Sequence, residues 1–240
     1  MTPLWVSEAA ACFWAEAGGE EPFPRDLRRP IARALPLALV LLPRLRVSAV
    51  DAWLRRQGVT CDVGVRERWL RACLVARSRQ GIVFVDGTDP ADEQRYSLAH
   101  ELAHFLRDYW LPRRRASQRL GPSVLEVFDG LRPPRPHERI DALLARVPIG
   151  FHVHLMERGA DGCADEAIEV AEEDADRLAF ELLAPAGRLV DGDEMSAAAL
   201  ASELTGRYGL PEAAAGRYAA LLARPARRDD SFVRRLGLVP

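Results

Sequence analysis

The strongest chemical signal in this chain is the pentapeptide from His100 to His104. It reads His-Glu-Leu-Ala-His, so two imidazoles stand four residues apart and a carboxylate, Glu101, follows the first of them. On a helix this spacing places both imidazoles on one face, one turn apart, where they can bind the same zinc ion. Glu101 then lies beside the metal, where a general base for the attack of water is needed. The pentapeptide therefore predicts a zinc hydrolase with one Zn²⁺ per chain.

Zinc in a hydrolase takes three protein ligands and keeps one position open, so a third ligand must be found. The metzincin extension would need a glycine at 107 and a histidine at 110, but the chain has Arg107 and Trp110. Asp108 lies about 12 Å along a helix axis from His100, too far to share one ion with it. The third ligand must therefore come from another element.

The best source of the third ligand is the acidic stretch 165–185, which reads DEAIEVAEEDADRLAFELLAP. Its apolar residues recur at helical spacing and its last residue is proline, which predicts a helix that ends there. Glu173 is typical of a solvated face, because an arginine follows it at i+4. Glu172 and Asp176 lie on one line beside the packed face, which favours Glu172 as ligand and Asp176 as the acceptor of a ligand imidazole N–H. Glu169, one turn earlier, is the alternative ligand.

The elements that must position these residues can be predicted from their neighbours. Asp89 and Pro90 are typical of a helix start, and apolar residues then recur at helical spacing, which predicts a helix over 90–109. Two strands at 72–76 and 81–88, joined by a turn, form a hairpin that leads into this helix. The remaining predicted elements of the N-terminal part are a strand at 37–42 and short helices at 7–17, 25–35 and 47–57.

Two more histidines occur in a predicted strand at 149–156. His152 and His154 project to the same face of that strand, because side chains alternate with period two. Together with Tyr109 and Tyr96 they are candidates for stabilising the transition state. The alternatives are that both imidazoles lie on the solvent side, or that the His-x-His pair binds a second metal.

The pentapeptide, the strand and polar turn before it, and the sequence ExxADRLAFELLAP together resemble the ImmA/IrrE family of zinc metallopeptidases. The resemblance covers roughly residues 80–185. It implies a zincin-like catalytic domain in which His100, His104 and Glu172 bind zinc and Glu101 is the general base. The chain departs from the family in the long span before Glu172, and Leu178 stands where an aromatic residue is common.

The resemblance also implies a substrate class. Such peptidases often cleave a repressor protein of the helix-turn-helix class and so switch on stress-response or mobile-element genes. We therefore expect a zinc endopeptidase with a protein substrate and a role in transcription regulation. Two alternatives stay open: a DNA-binding regulator with a structural or sensory metal site, and a non-catalytic metal-binding interaction module.

Composition limits the other function classes. The 33 basic and 35 acidic residues give a net charge of −2, so no global charge attracts nucleic acid or a membrane surface. The four cysteines form no CxxC pair, which favours reduced thiols in a cytoplasm. We find no signal peptide, and the apolar run at 34–43 is about half the length of a membrane span. We expect a cytoplasmic protein.

Composition predicts a large N-terminal domain and an insertion within it. Residues 1–190 are predicted as one mostly helical α+β domain with a small sheet beside the HExxH helix, interrupted by an insertion at 112–162. The insertion is rich in arginine and proline and is interpreted as a connector with a short helix at 137–147. A solvated loop is favoured over a nucleic-acid contact. A third interpretation, that the loop covers the active site and selects substrates, stays open.

The C-terminal segment, residues 191–240, carries the outline of a helix-turn-helix. It predicts a helix, a turn near Gly209, and a second helix. That second helix offers only Glu212, Arg217 and Tyr218 for contacts to DNA bases, which is few for direct readout. We therefore expect a helical hairpin that packs on the catalytic domain.

Overall fold

The computed structural model describes residues 2–63, 66–136, 138, 152–157, 166–189 and 196–223. It has the predicted α+β architecture, in which helices outnumber strands. The helices of the described ranges are α1 (Leu4–Glu16), α2 (Arg28–Ala34), α3 (Val47–Arg56), α4 (Ala91–His104), α5 (Leu111–Leu120), α6 (Val124–Phe128), α7 (Glu166–Leu183), α8 (Ala197–Gly206) and α9 (Glu212–Ala223). The strands are β1 (Leu37–Leu42), β2 (Leu70–Arg77), β3 (Gln80–Asp86) and β4 (His152–Glu157).

The four strands form one mixed sheet in the order β1-β3-β2-β4. The predicted hairpin is confirmed as β2 and β3, which pair antiparallel across a two-residue turn. Both turn residues, Ser78 and Arg79, have positive φ values of 50° and 68°, as the twist of a tight hairpin requires. β1 runs parallel to β3, and β4 pairs antiparallel with β2.

The sheet is covered on both faces by helices. Leu74 and Val83 point to one face, where they share a buried cluster with Leu102 of α4 and Leu178 of α7. Phe84 points to the other face and packs in the cluster formed with α3. The HExxH helix therefore lies between the sheet and α7, which is the arrangement that a shared metal site needs.

The helix that carries the pentapeptide is longer than predicted. After α4 it continues through a π-helical segment, Phe105–Trp110, into α5. Pro112 lies in the first turn of α5. Because proline lacks an N–H and crowds the carbonyl four residues earlier, the wider π turn is a favourable way to pass it.

The first part of the predicted insertion is helical rather than a loop. Arg113 of α5 is 2 % exposed, pairs with Asp129 at 2.5 Å and packs over the ring of Tyr109. Residues 112–128 therefore fold because a buried arginine finds its partner sixteen positions along the chain, which local composition does not reveal. The short helix predicted at 137–147 lies outside the described residues.

The helices α8 and α9 form a hairpin and share a buried cluster with α4 and α7. Leu204 and Tyr208 belong to the same buried cluster as α4 and α7, and Arg95 of α4 donates to the Gly209 carbonyl at 2.7 Å. Tyr218, considered above for a base contact, is 4 % exposed. Within the described ranges no helix combines the length and apolar character needed to cross a bilayer.

Candidate metal centre

The two histidines of the pentapeptide lie at the centre of the site. His100 and His104 are 3 % and 2 % exposed, on the face of α4 that meets α7. Their Nε2 atoms are 3.2 Å apart. Two imidazole lone pairs repel each other at this distance, so the pair needs a proton or a metal ion between them.

The third predicted ligand, Glu172, lies on α7. Glu172 Oε2 lies 3.2 Å from His100 Nε2, and Oε1 lies 3.5 Å from His104 Nε2. The apolar stripe of α7, which includes Leu178, is fully buried against α4 and sets this approach. Glu169, the alternative, is exposed and is not part of the donor group described below.

Four described residues offer ligand atoms that all lie within 4.8 Å of one another: His100, His104, His154 and Glu172. This group could hold a metal ion. Bonds of about 2.0–2.1 Å in a tetrahedron place neighbouring ligand atoms about 3.3 Å apart. Within this set the two α4 Nε2 atoms are 3.2 Å apart, and the two oxygens of Glu172 lie 3.2 Å from His100 Nε2 and 3.5 Å from His104 Nε2, so the three side chains converge closely enough to hold one ion.

Each histidine of α4 has a carboxylate on its other ring nitrogen. His100 Nδ1 lies 2.9 Å from Asp176, and His104 Nδ1 lies 2.8 Å from Asp108. Burial by itself would raise the pKa of both carboxyls, but the hydrogen bonds from the imidazoles outweigh it and the pKa of each is lowered. Because ionised carboxylates only accept, both imidazoles carry hydrogen on Nδ1 and turn Nε2 to the metal position.

Asp176 thus lies where the sequence placed it, whereas Asp108 was overlooked. The sequence argument considered Asp108 only as a ligand. Its i, i+4 spacing from His104 was the available signal, because residues so spaced meet on one helix face. Asp108 is thus an outer partner, meaning a residue that hydrogen-bonds the ring nitrogen facing away from the metal position.

Glu101 lies where a general base belongs. Its side chain is fully buried, and Oε2 accepts a hydrogen bond from His154 Nδ1 at 2.9 Å. The other oxygen, Oε1, is buried and has no hydrogen-bond partner among the described residues. A buried carboxylate oxygen is costly to leave unpaired, so this atom fits a role in accepting a proton from water.

His154 contacts the site from β4. Its Nε2 lies 2.9 Å from Glu172 Oε1, a hydrogen-bond distance that is short for the edge of a zinc tetrahedron. Burial would lower the pKa of His154, but the charge of Glu101 and the hydrogen bonds to Glu101 and Glu172 raise it to about 10. An imidazole in this environment donates from both nitrogens.

Ring stacking separates His154 from the ligand set. The rings of His154 and His104 stack with centroids 3.6 Å apart and planes inclined by 22°. An imidazole binds a metal close to its own plane, and two rings that lie face to face, as these do, do not direct their nitrogen lone pairs to one point. While His104 is a ligand, His154 therefore fits a hydrogen-bonding role better than coordination.

No protein-family model, no curated protein and no solved structure matches this chain. The resemblance to the ImmA/IrrE family stays a prediction from the residues quoted above.

The remaining candidates lie at the margin of the site. The hydroxyl of Tyr109 is buried and accepts a hydrogen bond from the Arg79 backbone at 2.9 Å, so it is not placed to stabilise a transition state. His152 stacks on Tyr109, and burial lowers its pKa. The hydroxyl of Tyr96 contacts Asp176 at 2.5 Å and so lies behind His100. Of the suggested stabilisers, only His154 contacts both the base and a ligand.

Proposed function

We propose that this protein is a zinc-dependent endopeptidase of the ImmA/IrrE type. The observation that supports it best is the convergence of His100, His104 and Glu172, with nitrogen and oxygen atoms 3.2–3.5 Å apart, next to a buried Glu101 with one oxygen that has no hydrogen-bond partner among the described residues. A protein substrate follows from the resemblance, and a repressor of the helix-turn-helix class is the substrate we propose.

Each residue has a distinct task in this reaction. Bound zinc supplies Lewis-acid polarisation of the scissile carbonyl and activation of water. Glu101 accepts the proton of the attacking water at Oε1 and passes it to the departing amine nitrogen as the C–N bond breaks. His154 hydrogen-bonds to Glu101 through Nδ1, which fixes the base, and to Glu172 through Nε2, which holds the third ligand in place.

The substitution Glu101→Gln tests the enzyme directly. It keeps the shape of the side chain and removes the base, so zinc content should stay at one ion per chain while peptide hydrolysis is lost. The assay uses a degenerate fluorogenic peptide library and purified helix-turn-helix repressors, with products read by mass spectrometry. The variant Glu93→Gln, eight residues earlier on the same helix, serves as control for the substitution; Glu93 is partly exposed and pairs with Arg71. Equal hydrolysis by wild type and Glu101→Gln would refute the assignment.

A non-catalytic metal-binding module is the second candidate, because His154 supplies a fourth possible donor. Four protein ligands would close the site, as they do in structural zinc centres. The variant His154→Gln separates the two candidates. For an open catalytic site the variant should still bind zinc, with affinity lowered by about 10- to 100-fold, because His154 is then only the hydrogen-bond partner of the ligand Glu172. Loss of zinc from this variant would support the closed module.

A further inference from the structure

A chain of hydrogen bonds leads from the C-terminal helix to the metal centre. Arg217 of α9 donates to the hydroxyl of Tyr96 at 2.8 Å, and that hydroxyl lies 2.5 Å from Asp176 Oδ1. The same Oδ1 lies 2.9 Å from His100 Nδ1. The same Arg217 nitrogen also lies 3.6 Å from Asp176 Oδ2. These hydrogen bonds connect Tyr96 and Arg217, which are 121 positions apart in the sequence, to the zinc ligand His100.

The direction of every hydrogen in this chain follows from donor chemistry. A guanidinium can only donate, so Tyr96 receives a hydrogen bond from Arg217 and must give its own hydrogen to Asp176. Asp176 accepts from the hydroxyl and also from His100 Nδ1. With its Nδ1 hydrogen held in this way, His100 presents the lone pair of Nε2 to the metal position.

The packing around the hydrogen-bond chain shields its inner members from water, whereas Arg217 at the outer end is half exposed. Tyr96 is 3 % exposed, and its ring stacks at 5.8 Å on Phe180 of α7. Phe180 in turn stacks on Tyr218 of α9 at 4.4 Å, with planes inclined by only 7°. The Tyr218 hydroxyl donates to the Ala184 carbonyl at 3.0 Å. The helix that carries Arg217 is thus held against α7, the helix that supplies Glu172.

We propose that Tyr96 and Arg217 are positioning residues for the zinc ligand His100, and that α9 is a part of the metal centre rather than an appended module. The inference rests on the proposed function, because it assigns a role to the same metal. Loss of the Tyr96 hydroxyl leaves Asp176 with one donor fewer, and loss of Arg217 removes both the donor that orients this hydroxyl and a positive charge 3.6 Å from Asp176. Either change lets Asp176 rotate away from His100. The ligand then loses its fixed tautomer and ring orientation, and zinc affinity falls.

The test measures zinc affinity in the full chain by competition with a chromophoric chelator. Tyr96→Phe removes one hydroxyl and keeps the stacked ring; Arg217→Met keeps the length of the side chain and removes its donors. We expect each variant to bind zinc about 3- to 10-fold more weakly, less than the about 10- to 100-fold that loss of the direct partner in Asp176→Ala should cost. The double variant should lose clearly less than the two single losses combined, because Arg217 acts on Asp176 mainly through the Tyr96 hydroxyl and only secondarily through its own contact at 3.6 Å.

Two controls separate positioning from packing. Tyr218→Phe weakens the docking of α9 and leaves every member of the hydrogen-bond chain in place. The melting temperature should therefore fall by about 2–4 °C, and zinc affinity should not change. Arg207→Met removes a largely exposed arginine of the same segment, which pairs with Glu203, and should change neither quantity. An independent readout is the Nδ1 hydrogen of His100 in long-range ¹H–¹⁵N spectra of the zinc-loaded protein, which should exchange faster with water in Tyr96→Phe.

Three outcomes would overturn the proposal. They are wild-type zinc affinity in Tyr96→Phe and Arg217→Met, an equal loss in Tyr218→Phe, and additive losses in the double variant. The proposed function fails in a different way, namely by absence of peptide hydrolysis in a chain that shows the expected pattern of zinc affinities. Hydrolysis that persists while the affinities do not follow this pattern would overturn the positioning role alone.

Discussion

The substitution Glu172→Gln is the most demanding test of the metal centre. Glu172 contacts the Nε2 atoms of His100, His104 and His154 at 3.2, 3.5 and 2.9 Å. Its neighbour Glu173 is 69 % exposed and pairs with Arg177 at 3.1 Å. The two residues are adjacent on one helix, so Glu173→Gln is a matched control for the same chemical change.

The expected effect on zinc follows from the number of ligands. Loss of an outer partner costs about 10- to 100-fold in affinity, and loss of one of three direct ligands should exceed that. We therefore expect Glu172→Gln to bind zinc more than about 100-fold more weakly than wild type. Glu173→Gln should match wild type within about twofold, because exposed ion pairs contribute little.

The metal-free protein should respond as well, with a defined pH dependence. Burial lowers the pKa of His100, but the hydrogen bonds to Asp176 and Glu172 outweigh it and raise the pKa from 6.5 to about 9. This rise corresponds to roughly 3 kcal/mol of folding free energy, shared between the two carboxylates. A raised pKa stabilises the fold fully below pH 6.5, and this stabilisation is lost as pH rises through about 9.

Removal of Glu172 should therefore cost the metal-free protein about 1–2 kcal/mol at pH 6, or about 2–8 °C in melting temperature. Above pH 9 the difference between variant and wild type should shrink. The assays are chelator competition for zinc and thermal unfolding in excess chelator at both pH values. Full zinc binding by Glu172→Gln would refute the assignment of Glu172 as the third ligand. Glu169→Gln would then be the next variant to measure. A difference in stability that grows with pH would refute the electrostatic argument.

Three further outcomes are expected. Asp108→Ala should weaken zinc binding about 10- to 100-fold, because His104 loses the carboxylate that orients it. An unchanged affinity in chelator competition would show that His104 binds zinc equally well without this hydrogen bond. Zinc binding at pH 7.5 should release about one proton, from His100, because its pKa is raised to about 9 and its Nε2 must lose its hydrogen to bind the ion; calorimetry in buffers of different ionisation enthalpy measures this number, and zero release would contradict the assignment. Gly81→Ala would place a Cβ 2.9 Å from the Phe105 ring, so chemical denaturation should show a loss of about 1–3 kcal/mol, whereas Gly87→Ala, with open contacts, should cost less.

The local elements were largely predictable because their signals are local. The strand β1, the β2–β3 hairpin and the start of α4 lie close to the predicted bounds, since alternation, turn residues and a first-turn proline act over a few residues. The π-helical segment and α5 were missed. Arg113 and Pro112 read as features of a connector, and only the distant Asp129 makes the arginine a buried helical residue.

The position of β4 shows why the roles of its histidines could not be assigned from sequence. The period-two pattern placed His152 and His154 on one face, and the register pairs His154 with Leu74, whose side chain points toward α4. A slip of one residue would turn both imidazoles to the other face of the sheet. Register is set by the partner strand, so it lies beyond what the strand's own residues can predict.

The sequence by itself determined the two histidines and the base, because the i, i+4 spacing of a helix brings His100 and His104 together whatever surrounds them. It also narrowed the third ligand to a few acids of one helix. The tertiary structure decided which acid arrives, since that depends on the rotation and offset at which the apolar stripe of α7 packs on α4. It also decided that His154 stacks on His104 instead of converging on the same point, and that Arg217 of α9 reaches Asp176. These are relations between elements far apart in the chain, which only packing can fix.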